Sequence, residues 1–144
     1  MWVKMTSDLL LTRLSSVERA RLATAATAAG QSDVLAEIAG QIAADWRAGL
    51  RRVTLLDARA GYVPDEFLIH MLAHFRYAAY TRLPGMGELL DDLRIKEWER
   101  ANHVRDNLAR HASVDAPDPA YAESLTTSGK PGPAIEEPPA ATVL

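Results

Sequence analysis

The chain has 144 residues, 48% of them hydrophobic, no cysteine and a formal charge of -3. That suits one small domain with a modest core, and it excludes disulfides, thiolate metal sites and an overall field that would attract nucleic acid. No stretch approaches the roughly 20 apolar residues that span a bilayer, and MWVKMTSDLLLTRLSS does not read as a signal peptide, so a soluble protein made in a cytoplasm, with no membrane partner, is expected.

In chain order, the pattern is helix after helix. Thr6-Ser7-Asp8 is a capping cluster before a short helix, LLLTRL. Ser15-Ser16-Val17-Glu18 is a capping box in which Ser15 accepts from the amide of residue 18 and Glu18 reaches back to the amide of residue 15. The helix it opens stops at Gly30, which tolerates the left-handed conformation. Ser32 caps the next, DVLAEIAGQIAADWRAGLRR, with Leu35, Ile38, Ala39, Ile42 and Trp46 on one face. Gly40 and Gly49 weaken this helix by up to about 1 kcal/mol each, unless a second backbone packs close there. Arg47, Arg51 and Arg52 fall near its negative end. The stretch VTLLDARAGYVP has no caps, and Val53, Leu55 and Leu56 suit a brief extended segment with no evident partner strand. Pro64 opens a helix that runs to Arg82 and breaks at Leu83-Pro84-Gly85. A last and longest helix is expected from Met86 or Gly87, with Leu89, Leu90, Leu93, Ala101, Val104 and Leu108 facing inward, Trp98 on the flank, and pairs such as Asp92-Lys96 on its outer face.

From residue 113 the composition changes. Six of the eight prolines lie there, with five acids and one base, Lys130. No apolar periodicity survives, so alone this segment cannot bury enough surface to offset its ordering entropy. The expected organisation is an all-α body over 1–112, a small antiparallel helical bundle with a short N-terminal helix, and a Pro-rich acidic extended tail over 113–144. The tail reads as a binding arm, with Tyr121, Leu125, Lys130, Ile135, Val143 and Leu144 as its partner-binding residues.

The sharpest candidate for chemistry is HMLAH. At about 100° per residue, Phe67, Leu68, Met71, Leu72, Phe75, Ala78 and Ala79 form the core face, while His70, His74, Tyr77 and Thr81 form a side stripe. The two histidines can converge on one point, as a metal needs. However, Met71 stands where a zincin carries its glutamate, and His103 and His111 offer no evident third ligand. The preferred reading is a semi-polar stripe packed on another helix or subunit, which makes His70, His74 and Tyr77 candidate subunit-interface residues together with Arg47 and Arg51. No serine sits in a nucleophile turn, GKPGP lacks the phosphate-loop spacing, and the adjacent Asp91 and Asp92 diverge by about 100°. Arg47, Arg51, Arg52 and Arg59 could touch phosphate, but the cluster already has a structural reason at a helix C-terminus. No cofactor, no metal and no enzymatic activity are expected. A small helical interaction or regulatory protein, or a His-based metal-binding protein, are the alternatives.

The order TSDLLLTRLSSVERARL, SDVLAEIAGQIAADWRAGL, YVPDEFLIHMLAHFRYAAYTRL and a closing helix ending VRDNLARHA resembles the head-tail connector, or adaptor, proteins of tailed bacteriophages, including the Mu-like group. Arg76-Tyr77 and Tyr80-Thr81-Arg82-Leu83 match that family's element at the end of the third helix, whereas RRVTLLDARAGYVP departs from the loop its members often carry. The resemblance implies a structural virion component: a self-assembled ring, typically twelve-fold, in the neck beneath the portal protein. It would be assembled in the bacterial host cytoplasm, with the tails reaching along the portal or a neighbouring subunit. A stopper or tail-completion protein would bind below, and DNA in the pore would be a further, non-specific contact.

Overall fold

A computed structural model describes residues 1–28, 30, 33–110 and 114–124. The fold is all-α, a small helical bundle with one two-stranded ribbon. In chain order come β1 (Trp2–Lys4), α1 (Ser7–Leu11), α2 (Ser16–Ala28), α3 (Val34–Leu50), β2 (Tyr62–Pro64), α4 (Leu68–Arg82) and α5 (Asp92–Asp106). Single 3-10 turns cover Asp65–Phe67, Gly87–Leu89 and Leu108–Arg110. Among the described residues, no helix is long and apolar enough to cross a membrane.

The helix starts follow the sequence chemistry. Thr6 Oγ1 accepts from the Leu9 amide at 3.1 Å, and Ser15 Oγ accepts from the Glu18 amide at 3.1 Å. The second half of the expected capping box does not form, because the Glu18 carboxylate turns inward to α4 instead. Ser32 lies outside the described residues. Gly30 and Gly85 take φ of 66° and 76°, the left-handed values both helix stops need.

α4 is the central element and packs between α3 and α5. Its core face is Phe67, Leu68, Met71, Leu72, Phe75 and Ala79, all buried, with Tyr80 added to them. α3 presents Leu35, Ile38, Ala39, Ile42 and Trp46 as expected, and its buried face extends to Leu50. Trp46 is fully buried, its ring 5.4 Å from that of Phe67. Gly49 meets the condition set by its helix cost. A β-carbon there would lie 3.3 Å from Leu108 Cδ1 and 3.7 Å from the Arg105 carbonyl, so the glycine lets the C-terminal end of α5 approach closely. Gly40 has open space around it and carries no such reason.

The last helix differs from expectation. It is split at Leu90–Asp91, and Asp91 caps a fresh start by accepting from the Arg94 amide at 3.0 Å. The 17-residue α3, not α5, is therefore the longest helix. The interruption rotates the stripe. Ala101 and Leu108 are buried, but Leu93 is 59% exposed. Asp92 and Lys96 form no ion pair among the described residues.

β1 was not legible in the sequence. It pairs antiparallel with β2 in the register Trp2↔Pro64, Val3↔Val63 and Lys4↔Tyr62. Three residues per strand give too short an alternation to read. The first described part of the tail, 114–124, runs without helix back along this ribbon and the preceding loop. Trp2 Nε1 donates to the Asp115 carbonyl at 2.9 Å, and the Asp115 amide donates to Glu66 Oε1 at 2.9 Å. Further on, the Ala58 amide donates to the Tyr121 carbonyl at 2.6 Å and the Glu123 amide to the Leu56 carbonyl at 2.8 Å, closing a bridge between Asp57 and Ala122. The partner that Leu56 lacked in the sequence is thus the start of the tail.

Candidate functional site

HMLAH resolves into two histidines with different places. His74 is buried between α3 and α5. Trp46 Nε1 donates to its Nδ1 at 3.0 Å, and its Nε2 lies 2.8 Å from Asn102 Oδ1, which also accepts from Arg105 Nη2 at 3.3 Å. The indole can only donate and the amide oxygen can only accept, so His74 is the neutral tautomer with its proton on Nε2. Burial holds its pKa below the ordinary imidazole value; the bond to Asn102 opposes this, and nearby Arg105 adds to it. Both ring nitrogens are spent inside the chain, so His74 ties three helices together and presents neither a metal ligand nor a side face. His70 is half-buried and stacks on the other end of Trp46, with ring centroids 6.4 Å apart and planes 12° apart. Tyr77 stacks on Trp98 at 4.1 Å and 11°. No group of three or more His, Asp or Glu residues poised to hold a metal ion occurs among the described residues.

A second polar cluster joins α2 to α4. Arg76 Nη2 and Nε lie 3.2 and 3.3 Å from the two Glu18 carboxylate oxygens, Tyr80 donates its hydroxyl to the same carboxylate, and Arg94 approaches to 3.9 Å. Burial pushes the Glu18 pKa up, but the Tyr80 hydroxyl and the two guanidiniums outweigh it and hold the carboxyl below its usual range. Burial, with the Glu18 bond, pushes the Tyr80 hydroxyl up to about 12. Glu18 is thus a buried-side anchor for a peripheral helix. The available signal was Arg76 and Tyr80, four apart on one helix face.

The third cluster holds the tail. Asp57 is fully buried and accepts from the Arg59 amide at 2.9 Å and from its guanidinium at 3.0 and 2.7 Å. These bonds, the guanidinium first, keep the Asp57 carboxyl below its ordinary range. The same guanidinium lies between two rings, 3.9 Å from the Tyr62 centroid and 3.6 Å from that of Tyr121. Arg47 donates to the Tyr62 and Asp57 carbonyls at 2.8 and 2.9 Å, and Arg51 pairs with Glu123 at 2.8 Å. Of the basic cluster, Arg47, Arg51 and Arg59 are therefore occupied by their own loop and strap. Tyr121 packs on its own body and remains 44% exposed. Leu125, Lys130, Ile135, Val143 and Leu144 lie outside the described residues, as does His111.

Between α4 and α5 lies a groove of about 380 Å³ whose lining includes Ile69, Leu72, Ala73 and Leu93, with Lys96 and Arg100 at its edge. Comparison with family models, with curated proteins and with solved structures gives no match.

Proposed function

We propose that the chain is a structural adaptor of a tailed-phage neck. It would form a ring of copies beneath the portal protein, join it to a stopper or tail-completion protein, and use its C-terminal segment as the docking arm. The observation that carries this reading is the strap over 114–124, which is pinned to the body by Trp2, Leu56, Ala58 and Arg59. An arm that leaves a rigid body from a fixed point loses less freedom on docking than one hinged at the end of the last helix. The helix order that resembles connector proteins supports the same reading. So does the internal use of the side chains that would otherwise suggest catalysis: His74, Glu18 and Asp57 are each held by structural bonds. Repetition around a ring multiplies weak arm contacts through avidity.

Residues 115–123 bond to the body, so on this reading residues 125–144 are the part of the tail left to dock. Removing residues 125–144 should leave the body folded and abolish co-sedimentation with a tailed-phage portal ring. A truncated protein that still co-sediments as the full chain does would refute the arm. His70→Ala and His74→Ala should leave metal content unchanged in elemental analysis; stoichiometric metal lost in the double variant would favour the metal-binding alternative.

A further inference from the structure

The groove between α4 and α5 has features that point to an occupant. Ile69 and Leu93 are 69% and 59% exposed. Single exposed aliphatic side chains are ordinary, but two that share one concave site, with Leu72 and Ala73 at its floor, form an apolar patch that calls for a partner. The rim is cationic. Glu97, the groove's own acid, is taken by Arg94 at 2.8 Å and lies 3.9 Å from Arg76. Lys96 and Arg100 have no acidic partner among the described residues. The complementary pattern, an apolar anchor followed at once by two carboxylates, occurs in this chain at Ala134-Ile135-Glu136-Glu137.

We propose that residues 134–137 seat in the groove of their own molecule, with Ile135 between Ile69 and Leu93 and the two glutamates facing Lys96 and Arg100. Eleven residues run from Ser124 to Ile135; extended, they reach about 36 Å. That is comparable to the roughly 35 Å width of a domain of this size, so the tether reaches a groove that is not on the far side of the body from Ser124. A tethered ligand acts at an effective concentration in the millimolar range, above that of any second copy at micromolar protein. Ile135 supplies the anchor by leaving water, while the exposed ion pairs add little energy and set the register. This inference goes beyond the adaptor reading and does not depend on it.

The chain has no cysteine, which allows a direct test in the full-length protein. A Leu93→Cys/Ala134→Cys variant, which keeps the Ile135 anchor, is oxidised mildly at micromolar concentration, then examined on a non-reducing gel and by mass. The control is Val17→Cys/Ala134→Cys, because Val17 is 68% exposed on α2. The expected result is a monomeric intrachain disulfide that forms about tenfold faster at position 93 than at 17, since docking raises the local concentration. Adding Glu136→Lys and Glu137→Lys should slow the 93–134 reaction several-fold. Equal rates at 93 and 17 would overturn the proposal. Covalent dimers in place of monomers would also overturn it, and would assign the groove to a second copy.

Discussion

At the residue scale, His74 decides how HMLAH is read. The helical spacing of His70 and His74 was legible, and so was the missing glutamate at Met71. The sequence did not show that Trp46, on another helix, and Asn102, on a third, would occupy both imidazole nitrogens. Contacts of this kind depend on how helices cross, which periodicity does not encode. The consequence is a pH dependence. The groups facing the ring are Asn102, Arg105, Asp45 and His70, and the folded chain disfavours a proton there. Below the ordinary imidazole value of about 6.5, the unfolded chain takes up a proton that the folded chain resists. Stability from this site is therefore complete above that value and declines as pH falls through it. Urea unfolding at pH 7.5 and 5.5 should show the decline, and His74→Gln should reduce it; an unchanged slope in the variant would contradict this assignment. Removing the ring should also cost about 2–3 kcal/mol at pH 7.5, because it leaves the buried Trp46 donor unpaired. Tyr80→Phe deletes one donor to Glu18 and should cost about 1–2 kcal/mol, read as a lower urea midpoint.

At the element scale, the helices with strong periodicity and clear caps were legible, and the short pieces were not. α3 fell where Leu35, Ile38, Ile42 and Trp46 placed it, and α4 ends at Arg82 as expected but starts at Leu68, because Pro64 closes β2 opposite Trp2 and Asp65–Phe67 form a 3-10 turn. The break before α5 was missed because Asp91 reads equally well as a surface acid or a cap, and only the caps' geometry separates the two. Leu93 followed the wrong phase for that reason. The β1–β2 ribbon and the strap escaped because their bonds run from backbone to backbone across distant segments. Asp57 is where the strap is most sensitive. Asp57→Ala leaves the Arg59 guanidinium without its buried acceptor and loosens the Tyr62–Arg59–Tyr121 stack, so a lower urea midpoint is expected. Faster amide exchange at Ala58 and Glu123 would accompany it. If exchange at both amides stays protected, the strap is held by other contacts.

At the scale of the whole molecule, the body is closed by ties that span the sequence: Glu18 to Arg76 and Tyr80, Trp46 to His74, and Tyr121 to Arg59. These ties, with the contacts of Glu123, extend the body through residue 123, later than the change of composition at residue 113 implies. Composition marks where helical periodicity ends, while chain contacts decide where the body ends. A cut after Arg110 should therefore lower Tm by several degrees, since it removes the strap, whereas a cut after Ser124 should lower it less, by no more than docking of the removed segment contributes.

The most direct test of the adaptor account is co-sedimentation of two proteins, the full chain and residues 1–124, with a tailed-phage portal ring. The account predicts that the full chain sediments with the ring in saturable amounts, and that the shortened chain, still folded, stays in the supernatant. Equal sedimentation of both, or of neither, would contradict it.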